Sequence, residues 1–397
     1  IGARLALAAD QFVVRRRVGD REGASVIAGY PWFADWGRDT MIALPGLALA
    51  TGRPELARDL LVSYAGFLDA GMLPNRFPDA GGAPEYNTAD ATLWYLEAVR
   101  AYVAETDDLG LARELWPTLL AIVAAHERGT RYGIGVDPND GLLRAGAPGT
   151  QLTWMDAKVG DWVVTPRAGK PVEINALWFN GLVALGDLAE RLGTPAGPWR
   201  DRSARVAMSL QRFWRPQSGY LIDVLDGPDG DDPSLRPNQL LAVSLPACAW
   251  SAERQRAVVD ACAGALLTSH GLRSLTPSHP DYRPRYGGDP WSRDGAYHQG
   301  TVWGWLLGPF ALAHHRAHGD ARAARTFLEP LVDQLHTHGL GSLAEIFDGD
   351  PPHRPRGCFA QAWSVAETLR AWTLLTAVLD GDDGAAAAGR PDAGTVA

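Results

Sequence analysis

The chain has 397 residues, of which 46% are hydrophobic and 21% are charged, and its formal net charge is −9. This composition predicts a globular protein with a large core and excludes a disordered or fibrous chain. The acidic balance argues against a nucleic-acid partner, which would favour a basic face. No apolar run approaches the roughly 20 residues that span a bilayer, so we expect no membrane partner.

Helical periodicity recurs along nearly the whole chain, and no run of alternating β-branched residues competes with it. Eleven helices are predicted, at Thr40–Ala50, Pro54–Ala70, Thr88–Glu105, Asp108–Gly129, Glu173–Leu192, Trp199–Trp214, Pro237–Ala247, Ser251–Leu267, Thr301–His318, Asp320–Leu335 and Gln361–Leu379. The sequence therefore predicts an all-α fold.

Long segments rich in Trp, Gly, Pro and charge recur after about every second predicted helix. They are Gly29–Asp39, Met72–Asn87, Gly149–Pro171, Leu272–Gly300 and Gly339–Gly357. Long irregular segments in a compact domain usually carry function. Their spacing predicts helical hairpins arranged in a ring, with one rim of loops that forms a common opening. We expect one domain over residues 1–380 and a flexible tail, rich in Ala, Gly and Asp, over 381–397.

Neither the cysteines nor the histidines predict a metal site. Three cysteines, at 248, 262 and 358, are too few and too scattered for a disulfide framework or a metal-binding pair. Three histidines, at 314, 315 and 318, share a helix pattern and lack an acidic or cysteine neighbour in sequence. The N-terminus has no signal-peptide pattern. We therefore predict a cytoplasmic protein with reduced thiols and no metal or other cofactor.

The first of these loops crowds aromatic side chains against an Arg-Asp pair. Trp36 offers a flat apolar face, Arg38 offers several donors, and Asp39 offers a charged acceptor. This mixture suits a sugar, which has apolar ring faces and a periphery of hydroxyls. We expect Asp39 to stay ionised beside Arg38 and to accept sugar hydroxyls. The alternative is a buried Arg-Asp pair that only pins the loop.

Two other loops carry carboxyl groups suited to catalysis. Glycoside hydrolysis without a metal needs one carboxyl group as proton donor and a second that activates water or attacks carbon. Asp156 follows a tryptophan and a methionine in LTWMDAK, and Glu345 lies between small and hydrophobic residues in GSLAEIFDG. The residues alone do not say which carboxyl group is the acid. The alternative for each is a carboxylate that forms a turn or a cap.

Taken together, long motifs along the chain resemble one family. The segments, in order, are GYPWFADWGRDT, LPNRF, YNTADATLW, LTWMDAKVGDWVVTPRAGKPVEINALW, LRPNQ, GLRSL, AYHQGTVWGW and EIFDGDPPHRPRGCFAQAWSVAE. They look like the amylo-α-1,6-glucosidase domain of glycogen debranching enzymes, over about residues 5–375. The resemblance implies an (α/α)6 barrel and an inverting exo-acting hydrolase. Its substrate would be glycogen, limit dextrin or a branched maltooligosaccharide, from which it releases glucose at α-1,6 branch stubs.

The resemblance also implies roles for individual residues. Asp156 matches the catalytic acid and Glu345 the general base, and an inverting pair would place their carboxyl groups about 6.5–9.5 Å apart. Trp36, Arg38 and Asp39 match residues that hold the non-reducing glucose. Other positions in the matching motifs are candidates for the pocket wall: Asn87, Asp90, Glu173, Asn175, His298 and Trp303.

The chain departs from the usual plan of that family. Eukaryotic debranching enzymes carry a transferase domain ahead of this one, and bacterial relatives usually carry an N-terminal β-rich domain. The sequence contains neither and begins with Ile1, so we expect a piece of a longer protein, with such a domain as a possible partner. Two other functions stay open: a glucoamylase-like or trehalase-like enzyme on the same barrel, and a non-catalytic carbohydrate-binding relative.

Overall fold

Helices dominate the regular structure. The computed structural model describes residues 1–18, 21–78 and 82–388. Its α-helices are α1 Gly2–Asp10, α2 Gly37–Leu44, α3 Pro54–Ala65, α4 Ala91–Thr106, α5 Leu109–Arg128, α6 Val172–Leu192, α7 Gly197–Leu210, α8 Leu241–Ser244, α9 Ala252–Ala265, α10 Pro290–Asp294, α11 Leu307–His318, α12 Ala321–Thr326, α13 Glu329–Val332 and α14 Ala362–Ala388. Most of the predicted helices are present, with shifted ends.

Six helices form a closed inner ring. In order around the ring these are α2, α4, α6, α8, α11 and α14; each contacts the next, and α14 contacts α2 again. Six further helices, α1, α3, α5, α7, α9 and α12, pack outside this ring. The arrangement is an (α/α)6 barrel, so the predicted fold class is confirmed.

Burial distinguishes the two layers. The inner helix α6 is buried around most of its circumference, from Val172 to Ala189, which is typical of a helix surrounded by protein. The outer helix α7 buries only a stripe formed by Trp199, Val206 and Leu210. The hydrophobic core therefore lies within the ring and in the shell between the two layers of helices.

Short strands lie in the loops of the helical barrel, and none of them was identified from the sequence. They are β1 Val13–Val18, β2 Arg21–Tyr30, β3 Phe33–Asp35, β4 Gly135–Val136, β5 Leu143–Arg144, β6 Lys158–Val159, β7 Trp162–Val163, β8 Lys170–Pro171, β9 Trp214–Arg215, β10 Tyr220–Leu221, β11 Val224–Gly227, β12 Gly230–Asp232, β13 Leu267–Thr268, β14 Gly271–Arg273, β15 Val302–Trp303, β16 Ile346–Phe347, β17 Pro355–Arg356 and β18 Ala360–Gln361. Most span two or three residues, too short for a visible alternation. Among the described residues only β1 and β2 form a long hairpin, and three consecutive arginines interrupt the apolar pattern of β1.

Several predicted helices end elsewhere. The segment predicted as one helix over Asp320–Leu335 is divided into α12, α13 and a final 3-10 turn, with Pro330 in the first turn of α13. The last helix, predicted to end at Leu379, continues to Ala388. Residues 389–397 lie outside the described part of the chain, and the proposed division at residue 380 stays a prediction.

The long loops meet at one end of the barrel. The five loops precede the inner helices α2, α4, α6, α11 and α14, so they lie at the N-terminal ends of these helices. We call this rim of loops the barrel mouth. Among residues 1–18, 21–78 and 82–388, no helix is both long and apolar enough to cross a membrane.

Candidate active site

Arg38 donates hydrogen bonds to two carboxylates, Asp90 and Asp156, from other segments near the barrel mouth. It lies in the first turn of α2, and its Nε donates to Asp90 Oδ1 at 2.7 Å. Its Nη1 donates to Asp156 Oδ2, also at 2.7 Å. The guanidinium is buried, so the two carboxylates offset the cost of burying its charge. Asp90 and Asp156 lie 52 and 118 residues from Arg38 in the sequence, and both contact its guanidinium.

Only one oxygen of Asp156 has a hydrogen bond to another residue within the described part of the chain. While Oδ2 accepts from Arg38, Oδ1 lies 3.9 Å from Nε2 of His298. The Asp156 side chain is 25% exposed, whereas most of its neighbours are buried. Burial raises the pKa of Asp156, and the charge and hydrogen bond of Arg38 partly offset that rise. Asp156 is therefore a partly exposed carboxyl group that Arg38 holds through one of its oxygens.

Glu345 has both oxygens engaged. It directly precedes β16, is only 2% exposed, and accepts a hydrogen bond at Oε2 from the backbone N–H of Cys358 at 2.9 Å. The hydroxyl of Tyr297 donates to Oε1. Burial raises the pKa of Glu345 to about 7, the two donors lower it, and the charge of Asp156 adds to the rise. The charges of Asp156 and Glu345 thus influence one another.

A glycine makes room for the Glu345 carboxylate. Gly357 has φ of +65°, in the left-handed region that favours glycine. A Cβ atom at this position would lie 2.2 Å from Oε2 of Glu345. The backbone that donates to Glu345 through Cys358 can therefore approach only because residue 357 has no side chain.

Asp39 corrects an expectation from the sequence. We expected an ionised carboxylate beside Arg38, but burial raises the pKa of Asp39 to about 8. The charge of Arg38, which donates to Asp90 and Asp156, lowers this pKa, whereas the nearby charges of Asp156 and Glu345 raise it further. Nε2 of Gln361 lies 3.5 Å from Oδ1 of Asp39. At pH 7 the side chain is mainly neutral and can donate a hydrogen bond.

An aromatic cluster forms the wall beside Asp156. The rings of His298 and Trp303 stack with centroids 4.8 Å apart and planes 6° apart. Trp154 meets both edge-on, at 5.2 and 5.1 Å. His298 is fully buried, and within the described residues neither ring nitrogen has a hydrogen-bond partner. Burial, together with the charge of Arg236, holds its pKa well below the usual value, so the ring is neutral.

Trp36 and Asn87 are half-buried. The Trp36 ring meets Phe33 edge-on at 6.0 Å, and the guanidinium of Arg76 lies 5.8 Å from its centroid. The Oδ1 atom of Asn87 is buried and has no hydrogen-bond partner among the described residues. An unpaired buried carbonyl oxygen costs free energy, which a ligand hydroxyl could recover.

Glu173 and Asn175 have structural partners that the sequence did not reveal. Glu173 accepts from Nη2 of Arg167 at 2.7 Å, and Nε of Arg167 also donates to Asp223 at 2.7 Å, all of them buried. Asn175 donates to the carbonyl oxygens of Leu143 and Pro171 and accepts from the Leu143 N–H. These bonds explain both residues without a ligand, so we leave them out of the sugar site.

Sequence reasoning missed two polar side chains of this site. Tyr297 donates to Glu345, and Gln361 contacts Asp39. Tyr297 directly precedes His298 in a motif already singled out, so the signal was present. Gln361 lies in the segment FAQAW, where nothing local indicates that its amide points toward a residue 322 positions away.

A six-hairpin barrel with a carboxyl pair at its mouth belongs to the class of α/α-barrel folds seen in glycoside hydrolases. A GH63 mannosylglycerate hydrolase from Thermus thermophilus, solved with Tris, has a TM-score of 0.69 and 17% identity, covering 93% of this chain and 99% of that one. An uncharacterized conserved protein from the same organism has a TM-score of 0.69 and 18% identity, covering 92% and 98%. At this identity the likeness shows the fold alone.

The sequence defines the family more closely. Residues 7–370 match the family described as amylo-alpha-1,6-glucosidase, and the chain belongs to that family of glycoside hydrolases. The chain is also similar to the glycogen debranching enzyme of Saccharomyces cerevisiae, at 27% identity over 392 residues. That match covers 74% of this chain and 25% of the yeast protein. The chain therefore corresponds to about a quarter of the length of this relative.

Proposed function

We propose that this chain is an inverting exo-acting α-1,6-glucosidase that releases glucose from the branch stubs of glycogen or limit dextrin. The observation that carries the proposal is the pairing of Asp156 with Glu345 at the mouth of a barrel whose family is amylo-alpha-1,6-glucosidase. The two carboxyl groups differ in exposure and in hydrogen bonding. That difference suits two different roles in one hydrolytic step.

Asp156 is the proposed acid. Its side chain is 25% exposed, and its Oδ1 has no hydrogen bond to another described residue, so this oxygen can carry a proton to the glycosidic oxygen. Arg38 fixes the other oxygen and thereby the orientation of the group. A bound sugar excludes water from the site, which favours the neutral form of a carboxyl group and so raises its pKa further.

Glu345 is the proposed base. Both of its oxygens accept hydrogen bonds, from Tyr297 and from the backbone of Cys358, and this arrangement suits an ionised acceptor. It would take a proton from the water that attacks the anomeric carbon. The glycosidic bond to that carbon breaks as Asp156 protonates the leaving oxygen, and the product is β-glucose.

Burial raises the pKa of both carboxyl groups, to about 7 for Glu345, so the direction of these shifts does not divide the two roles. Hydrogen bonding favours our assignment, since the donors of Tyr297 and Cys358 to both oxygens of Glu345 stabilise its ionised form. The match of Asp156 and Glu345 to the family motifs supports the same order. A chemical test can separate the two assignments.

The remaining residues suit one glucose unit. Neutral Asp39 can donate to a sugar hydroxyl, and the unpaired atoms of Asn87 and His298 can bond two others. Half-buried Trp36 supplies apolar surface for the sugar ring, and buried Trp303 supports the wall behind it by stacking on His298. Asp90 acts through Arg38, which it holds in place. A cytoplasmic location stays a prediction from the sequence; the three cysteines are free thiols.

The test compares Asp156→Asn with Glu345→Gln on two substrates. A branched maltooligosaccharide needs a proton donor, whereas α-glucosyl fluoride has a leaving group that needs none. We expect Asp156→Asn to lose about 10³-fold or more on the branched substrate and to keep most of its activity on the fluoride. Glu345→Gln should fail on both, and added azide should restore turnover with β-glucosyl azide as product.

The control is Asp161→Asn, an exposed carboxylate five residues from Asp156 in sequence, which should behave as wild type. Rescue of Asp156→Asn by azide and of Glu345→Gln by the fluoride would establish the reverse roles. Wild-type activity in both variants would reject the carboxyl pair altogether.

A further inference from the structure

Two tryptophans stack at the barrel mouth outside the site described above. Trp162 begins β7, and Trp291 lies in α10. Their ring centroids are 4.3 Å apart and their planes differ by 25°. Trp291 is 55% exposed, although Trp is among the side chains with most to gain from burial. A large, ordered and exposed aromatic surface is typical of a binding site.

This Trp162–Trp291 pair connects the two loops that carry the active-site groups. The hairpin of β6 and β7 begins two residues after Asp156, and its Val159 pairs with Trp162. Trp291 lies six residues before Tyr297, in the loop that also carries His298. The pair therefore joins the loop of the proposed acid to the loop that supports the proposed base.

The surroundings hold both rings in place. Trp162 lies against the backbone of Gly295, where an added Cβ would be 2.9 Å from Cη2 of the indole. The Asp289 side chain accepts from the Ser292 N–H at 2.8 Å, and Pro290 occupies the first position of α10. The flat surface is thus preorganised, and binding to it would cost little side-chain entropy.

We propose that the Trp162–Trp291 pair is an outer subsite that binds the glucan chain on the leaving-group side of the cleaved bond. The inference rests on the proposed function, because in an exo-acting pocket the terminal glucose lies inside and the rest of the substrate leaves through the mouth. The apolar face of a glucose ring packs on the exposed indole of Trp291. The nearby Arg293–Asp294 ion pair, with Nε to Oδ1 at 2.7 Å, supplies polar groups for the hydroxyls.

The direct test measures binding without turnover. In the Glu345→Gln background, maltoheptaose affinity is measured by calorimetry with and without Trp291→Ala. We expect Trp291→Ala to weaken maltoheptaose binding about tenfold and to leave D-glucose binding unchanged. Trp291→Phe keeps an aromatic face and should restore most of the affinity. Met208→Ala removes another exposed apolar side chain, on the outer helix α7, and should change nothing.

Equal maltoheptaose affinity with and without Trp291, or no binding in the Glu345→Gln protein, would overturn the subsite. Kinetics of the otherwise unaltered enzyme separate this failure from failure of the proposed function. The subsite predicts that Trp291→Ala lowers kcat/KM about tenfold for a long branched maltooligosaccharide and little for isomaltose. A wild-type protein that cleaves neither sugar would reject the α-1,6-glucosidase proposal, while the binding result would still decide the subsite.

Discussion

The hydroxyl of Tyr297 donates a hydrogen bond to Oε1 of Glu345, the buried carboxylate that we propose as the base. Burial raises the pKa of Glu345 to about 7, and this hydrogen bond opposes the rise. Tyr297 is itself buried, and its own pKa is raised well above the usual value, so the phenol stays a donor. Tyr297 is therefore a positioning residue that also sets the acidity of the base.

Tyr297→Phe should shift the pH dependence of activity. The variant removes a donor that stabilises ionised Glu345, so the pKa of Glu345 rises above 7. Because the base must be ionised, the acid limb of kcat/KM should move to higher pH, by about one unit. Tyr286→Phe is the control, since its ring packs 5.3 Å from that of Tyr297. An unchanged acid limb in Tyr297→Phe would contradict the role of this hydrogen bond.

Gly357→Ala should abolish activity through Glu345. The new methyl would lie 2.2 Å from Oε2, so the carboxylate or the backbone must move. We expect turnover to fall about 100-fold or more. Gly52→Ala is the matched control, with φ of +69° and nothing within 4 Å of the added Cβ. Both variants bear the cost of a left-handed residue, about 1 kcal/mol, measured by urea unfolding. Equal activities in the two would refute the steric argument.

Glu345→Gln should stabilise the protein in alkaline solution. The pKa of Glu345 is about 7 in the native state, above its value of 4.5 in an unfolded chain. The native state therefore favours the neutral acid, and stability from this group is lost as pH rises from 4.5 through 7. We expect a gain of about 2–3 kcal/mol in the free energy of unfolding at about pH 8 and little change at about pH 4. Urea titrations at both pH values measure it, and equal effects at the two would count against the raised pKa.

Arg167→Met should destabilise the fold strongly. It would leave Glu173 buried without its cation and Asp223 with only Arg236, whose Nε is 3.8 Å from Oδ2, at a cost of about 3–5 kcal/mol. Adding Glu173→Gln and Asp223→Asn should recover part of this loss, because the uncompensated charges are removed. Arg191→Met is the control: its partner Asp107 is exposed, and the loss should stay below about 1 kcal/mol. Similar losses for the two arginines in urea unfolding would contradict this account.

The barrel could be predicted because its signals are local and repeated. Helical periodicity fixes each helix, and the loops before α2, α4, α6, α11 and α14 carry the Trp, Gly and charge that mark the mouth. The two-residue strands could not be predicted, since they arise where loops from different hairpins meet. Their pairing is therefore a result of the barrel and is not encoded by any one segment.

The charge state of Asp39 could not be predicted either, because it depends on contacts between residues that are distant in sequence. Its neighbour Arg38 looked available in sequence, but the partners of Arg38 are 52 and 118 residues away. Glu173 and Asn175 likewise lie in a matching motif. Only the fold shows that Glu173 accepts from Arg167 and that Asn175 donates to the carbonyl oxygen of Leu143. A sequence motif identifies candidate site residues. Only their hydrogen-bond partners in the fold show which of them can contact a ligand and which contact the protein itself.

The central claim is tested most directly by proton NMR of the protein acting on a 6-α-glucosyl-branched maltooligosaccharide, with linear maltooligosaccharide and trehalose run in parallel. We predict that β-glucose appears first, that it comes from the branched sugar alone, and that α-glucose follows only by mutarotation. Glucose released initially as the α-anomer would contradict the inverting roles of Asp156 and Glu345. Release from the linear sugar or from trehalose would contradict the α-1,6 specificity.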